Sequence, residues 1–277
     1  MKKFLVVSFC LLMATGMVFG TEFNLFLSGG FSGTPRLSDS NYSLDGAAQH
    51  IAVSHSGTIS PEAKSSFVGE AGLEMYFSDM LGVRLSGSFW SNNVDLQSNY
   101  NISWLWETGV SGSDSGSWKD TGKISVTTLN IDFVYKTKLS NRMTMEVYGG
   151  PTLFSVKTDL DSHIGGFSTL TENYWWGWKG WIDWFGYKAN INASETIFGG
   201  NVGLNLSSKL SPNFSLFIAF EYYIASKKTY EWMIVPGTYN GQYGFFTSNI
   251  TSPTKTGTTL EVNPSNFAVV IGAKFHL

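Results

Sequence analysis

From residue 22 onward, apolar and polar residues alternate with a period of two in eight stretches, and helical periodicity is almost absent. The pattern predicts strands at about 22–32, 64–78, 81–95, 122–138, 143–157, 193–209, 213–227 and 265–277. The connections alternate strictly in length. Asp79-Met80, Ser140-Asn141-Arg142 and Ser211-Pro212 are short and built from turn formers, whereas 33–63, 96–121, 158–192 and 228–264 are long and rich in Gly, Ser, Asn and Thr. Such alternation puts every short turn at one end of a sheet and every long segment at the other. That is an antiparallel up-and-down meander.

The two faces of these strands differ in kind. One face of the seventh reads Phe214, Leu216, Ile218, Phe220, Tyr222, Ile224, and the eighth gives Phe267, Val269, Ile271, Ala273, Phe275, Leu277. No charge falls on that face in any of the eight strands. The opposite face carries Glu22, Glu70, Glu74, Arg84, Asp132, Lys136, Glu146, Glu221 and Lys274. A soluble barrel or sandwich would bury the apolar face and hold charges outside. Nine charges on an inner face are too costly for a dry core unless paired. An apolar band in lipid around a polar interior satisfies both faces, and strands of this length suit a tilted crossing. Pro151 is the exception: it cannot donate to a ladder, so the fifth strand needs a bulge there.

Composition narrows the class further. Charged residues are 14% and aromatics 16% of 277 residues, which excludes a disordered chain. A net charge of −3 without a Lys/Arg cluster argues against nucleic acid as a partner. The first twenty residues have the form of a signal peptide: Lys2 and Lys3, an uncharged apolar run from Phe4 to Val18, and Val18-Phe19-Gly20 as the cleavage signal. Removing Lys2 and Lys3 from 18 basic residues leaves 16 against 21 acidic ones, net −5, and removing Cys10 leaves no cysteine. The expected organisation is therefore a signal peptide at 1–20 and one barrel domain at 21–277.

With its leader, the strand pairs KTKLSNRMTMEVYGGP and SSKLSPNFSLFIAFEYY, and the terminal strand NFAVVIGAKFHL, the chain resembles the small eight-stranded outer-membrane barrels of the OmpA-barrel, OmpX and OmpW kind. The resemblance implies an all-β transmembrane antiparallel barrel of eight strands, with ten as the alternative. It also implies short periplasmic turns, long extracellular loops and a place in a Gram-negative-type outer membrane. Outer-membrane lipid and lipopolysaccharide would then be its surroundings, and the terminal strand would be read by the barrel-assembly machinery. In that family this strand usually ends in Phe; here it ends in Leu277.

Two groups of residues are candidates for function. Glu70, Glu74, Arg84, Asp132, Lys136, Glu146, Glu221 and Lys274 share the inner face and form a charge network that fills the lumen of a small barrel. Nine of the ten tryptophans fall in the long segments, Trp90 excepted. Trp175, Trp176, Trp178, Trp181 and Trp184 crowd one segment and Trp232 stands in the next, together a platform for a glycan or host surface ligand. The expected role is that of a plugged structural barrel with aromatic contact loops, the rival being an OmpW-like pore or hydrophobic-ligand transporter. Catalysis has thin support. The PagL and PagP relatives modify lipid A with His, Ser and a carboxylate, and this chain offers only His50, His55-Ser56 and His163 in polar segments. No metal site or cofactor is expected from three scattered histidines.

Overall fold

Alternation gives each stretch one face for lipid and one for its neighbours, so the strands pair edge to edge until no edge remains. The computed structural model describes residues 22–48, 51–106, 111–164, 187–235 and 254–277, with Gly109 and the pairs 172–173 and 179–180. In chain order the strands are β1 (Glu22–Ser32), β2 (Arg36–Leu37), β3 (Ser40–Ala48), β4 (Ile51–Ala63), β5 (Ser66–Tyr76), β6 (Leu81–Trp106), β7 (Ser111–Lys138) and β8 (Met143–Ile164). They continue with β9 (Glu172–Asn173), β10 (Lys179–Gly180), β11 (Tyr187–Ser211), β12 (Phe214–Ala225), β13 (Lys228–Ile234), β14 (Thr254–Asn263) and β15 (Asn266–His276). The leader at 1–20 lies outside the described residues.

A lower ring closes through β1, β5, β6, β7, β8, β11, β12 and β15 and back to β1, all antiparallel. Closure is made by β1 against β15, with Leu25 opposite Phe275 and Ser32 opposite Ala268. The ring has eight strands. A hairpin does form in the last long segment, β13 with β14, but it stands above the ring and does not widen it. Two of the short turns use the same device. Ser78 Oγ accepts from the backbone N–H groups of Met80 and Leu81, and Ser140 Oγ accepts from those of Arg142 and Met143. Pro151 is absorbed without a bulge. The β7–β8 ladder skips Ile131 and Asp132 opposite Pro151 and Gly150, then resumes in the same register at Phe133 and Gly149.

The long segments are mostly strand. β6, β7, β8 and β11 run on well past the lower ring. Beside them, β4 pairs β6 from Ala63–Val94 to Ile51–Trp106, β3 pairs β4, and β14 lies against β2. An upper tier of eight strands thus stands on the lower ring. Four strands pass through both tiers, and four are interrupted at 33–35, 64–65, 226–227 and 264–265. Side chains repair the broken ladders, because a buried carbonyl or N–H without a partner is costly. Asn92 Nδ2 donates to the carbonyls of Gly33 (3.1 Å) and Lys64 (2.7 Å). Asn266 Nδ2 donates to Gly33 O as well, while Ser265 Oγ accepts from Ala225 N–H and donates to Ala225 O.

Polarity exchanges faces between the tiers. On β6, Leu81, Val83, Leu85 and Phe89 point outward around an inner Arg84, Ser86 and Ser88. Above Phe89 the inner positions become Trp90, Val94 and Leu96, and the outer ones Ser91, Asn93, Asp95 and Gln97. The other through-strands make the same switch, at Thr127–Leu129 on β7, Leu153–Phe154 on β8 and Ile197–Phe198 on β11. The lower exterior is an apolar belt in which Phe133 is 73% exposed and Ile271 66%. The upper interior is an apolar core that includes Ile59, Ile124, Phe154, Leu160, Trp232 and Leu260. The lower tier is solvated by lipid and the upper by water.

Candidate functional site

The lower lumen is the candidate site that the inner-face charges predict. Arg84 on β6 is its centre: Nη2 lies 2.7 Å from Glu70 Oε1 and 3.3 Å from Glu221 Oε1. The guanidinium is held between two rings, its Cζ 4.2 Å from the centroid of Phe26 and 4.1 Å from that of Tyr148. The Tyr148 and Tyr223 hydroxyls donate to Glu221, and Ser28 Oγ donates to Glu70. Nearer the short turns, Lys274 Nζ lies 2.7 Å from both Glu74 and Glu146. Glu146 also accepts from Tyr76 OH at 2.9 Å and Asn205 Nδ2 at 3.0 Å. Lys136 pairs with Glu22 at 2.8 Å and sits 3.7 Å above the Tyr76 ring.

All eight residues of the expected network are buried in this one lumen. Seven form ion pairs. Asp132 stands apart from the pairs and takes a hydrogen bond from Asn201 Nδ2 at 3.3 Å. Carboxylates outnumber cations here, and neutral donors make up the difference. Tyr76, Tyr148 and Tyr223, with Asn24, Asn201 and Asn205, were missed as members of the site, although each occupies an inward position of its strand. Glycines seat several rings: Tyr148 lies over Gly203, Phe217 over Gly272 and Phe26 over Gly72, where a Cβ would collide with the ring. Chemically this arrangement fills the lumen and pairs most of its charge, leaving Asp132 Oδ1 and Arg84 Nε and Nη1 buried without a hydrogen-bond partner among the described residues.

Of the six residues of the expected tryptophan platform, the structure describes one. Trp175, Trp176, Trp178, Trp181 and Trp184 lie outside the described residues. Trp232 does not belong to a platform: it is 0% exposed in the upper core, and its Nε1–H donates to Ser40 Oγ at 3.3 Å. Its segment reads as loop in sequence, yet β13 turns the indole inward between β11 and β14. Trp104 and Trp118 are likewise on strands, β6 and β7. At the upper rim the Trp118 and His163 rings stack at 5.3 Å, and His163 Nδ1 lies 2.8 Å from Asp120 Oδ1. Sequence spacing hides this dyad, since it joins β7 to β8 where their ladder ends. Among the described residues no hydroxyl is hydrogen-bonded to the His163 ring. His55 is buried on β4, and His50 lies outside the described residues.

A closed ring with an apolar belt outside and a polar lumen inside defines the class: this is a transmembrane β-barrel. No protein-family model matches the chain, and no curated protein matches it in sequence. In structure it is similar to the outer membrane protein OprG from Pseudomonas aeruginosa, at 16% identity over 92% of this chain and 95% of that one, with a TM-score of 0.49. A major outer membrane protein from Thermus thermophilus is 12% identical over 93% and 100%, with a TM-score of 0.43. The outer membrane protease OmpT from Escherichia coli is 10% identical over 92% and 97%, with a TM-score of 0.41. At these identities the likeness is one of strand architecture alone.

Proposed function

We propose that this protein is a closed, non-catalytic surface barrel that conducts nothing and carries the tips of its long segments as a contact surface. The observation behind this reading is the pair of seals stacked in one tube. The Arg84 and Lys274 ion-pair clusters fill the lower lumen, and an apolar core fills the upper one. A hydrated ion meets buried charge pairs in the first and dry side chains in the second. Reconstituted into planar bilayers, the protein is expected to give no steady open events at moderate voltage. Regular single-channel steps would overturn the reading.

Contact with the outside falls to the segment holding Trp175, Trp176, Trp178, Trp181 and Trp184, with a glycan or host surface as the ligand class. Lipid and lipopolysaccharide surround the belt, and the barrel-assembly machinery reads β15. Deleting 174–187 is expected to abolish cell-surface binding while the unboiled protein still migrates apart from the boiled one on a gel. Unchanged binding would remove the tryptophans from the proposal.

One observation favours a second reading, passage of an apolar ligand. The β11–β13 ladder has only two pairs, Ala189–Ile234 and Asn190–Met233, and β12 joins β11 only from Gly199. Ile191 to Phe198 thus lack a strand partner on that side, just above the belt. The Lys228–Glu195 pair at 3.0 Å is what spans the interval. Uptake of an apolar dye into protein-bearing vesicles would distinguish this route from the closed barrel.

A further inference from the structure

We propose that the short-turn mouth of the barrel is a binding site for a soluble, multiply charged phosphate-bearing anion. The mouth opens into a cavity of about 830 Å3 between the ends of β7, β8, β11, β12, β15 and β1. Five basic residues line it, Lys136, Lys138, Arg142, Lys209 and Lys274, against the two carboxylates Glu22 and Glu146, a formal +3. The chain as a whole is net −3. The cavity therefore reverses the sign of the protein that builds it.

The excess charge resides on three side chains. Lys136 is taken by Glu22, and Lys274 by Glu74 and Glu146. Lys138, Arg142 and Lys209 have no carboxylate within salt-bridge distance among the described residues. They come from three neighbouring chain segments. Lys138 pairs across the ladder with Thr144, and the backbone N–H of Lys209 donates to Arg142 O at 2.7 Å. Like charges crowded this way repel, and no carboxylate among the described residues relieves them. Lys138 follows Lys136 and Lys209 follows Ser207 in the inward alternation of β7 and β11, while Arg142 stands in the turn just before β8. All three are exposed and line the mouth.

The ligand chemistry follows from these donors. A guanidinium fork with two ammonium groups matches the several oxygens of phosphate better than a single carboxylate. The volume exceeds what one phosphate ion fills, so an oligophosphate or a phosphorylated small molecule fits. Because the three cations line the cavity between the strand ends, a soluble anion is favoured over a lipid headgroup. This inference stands whether or not the lumen above conducts.

The test is calorimetric titration of the refolded barrel, in an uncharged detergent at low salt, with tripolyphosphate as the probe. Saturable binding is expected, weakened roughly tenfold or more in the K138Q/R142Q/K209Q variant and falling steeply with added salt. A control variant, K119Q/K123Q/K157Q, removes three exposed outward cations of the upper tier and is expected to bind like the original. The unboiled-against-boiled gel shift checks that each variant is a closed barrel. No binding by the original protein, or equal losses in both variants, overturns the proposal. So does a result in bilayer discs where phosphatidylglycerol, but not tripolyphosphate, is held by the original and released by K138Q/R142Q/K209Q. That outcome would make the cations a lipid-headgroup contact.

Discussion

Replacing Arg84 with Met is expected to cost the barrel about 3–5 kcal/mol, seen as a lower urea midpoint when unfolding from vesicles is followed by tryptophan emission. The size of the effect comes from what stays behind. Arg84 is 1% exposed, and its loss leaves the Glu70 and Glu221 carboxylates facing each other in a lumen closed to water. Tyr148, Tyr223 and Ser28 donate to those carboxylates but bring no positive charge. Met retains most of the contact with the Phe26 and Tyr148 rings, so the loss is electrostatic. Adding Glu70→Gln and Glu221→Gln to Arg84→Met is therefore expected to restore most of the midpoint. If the triple variant is as unstable as the single one, packing between the rings, and not charge balance, holds this tier.

The second large effect belongs to the upper tier. Trp232→Ala is expected to remove about 3–5 kcal/mol there by opening a cavity in a closely packed core. The indole is fully buried among the apolar side chains of that tier, and its N–H satisfies Ser40. Amide hydrogen exchange would read the loss as weakened protection across β3, β4, β13 and β14. The lower ring rests on other contacts, and its heat-dependent gel shift is expected to persist. Were Trp232 part of an exposed platform, the substitution would weaken ligand contact and leave exchange unchanged.

The lower ring was legible because lipid imposes one rule on every strand: apolar outward, polar inward. That rule puts Arg84 and Lys274 on one inner face with Glu70, Glu74, Glu146 and Glu221, and the strand register then decides which of them pair. It fails above Phe89. Once the exterior meets water, the alternation continues with its sign reversed, so Val94, Leu96 and Tyr100 are inner residues among outer Asp95, Gln97 and Asn99. A search for outward apolar positions stops there and takes the rest for loop. The same reversal places Trp232 inside. The pattern to look for was a one-residue slip in apolar phase, Phe89 to Trp90 or Ile197 to Phe198, with no turn residue between. Pro151 misleads for another reason, since a strand can omit two ladder bonds without changing register. The His163–Asp120 dyad has no sequence signature because it depends on where two strands part.

The exchange of faces between tiers also divides the molecule by heat capacity. Unfolding the upper tier transfers its core side chains to water, and hydration of that apolar surface gives a large positive heat-capacity change. The belt of the lower tier is solvated by hydrocarbon while folded, and a chain that opens within the bilayer exposes much less new apolar surface to water. The two halves of one set of continuous strands then follow differently shaped stability curves. The upper curve is strongly domed and loses stability on cooling as well as on heating. The lower one is flatter, set by buried ion pairs and backbone hydrogen bonds. Cold would loosen the outward-reaching half of the molecule first, while the half that keeps the membrane sealed stays closed.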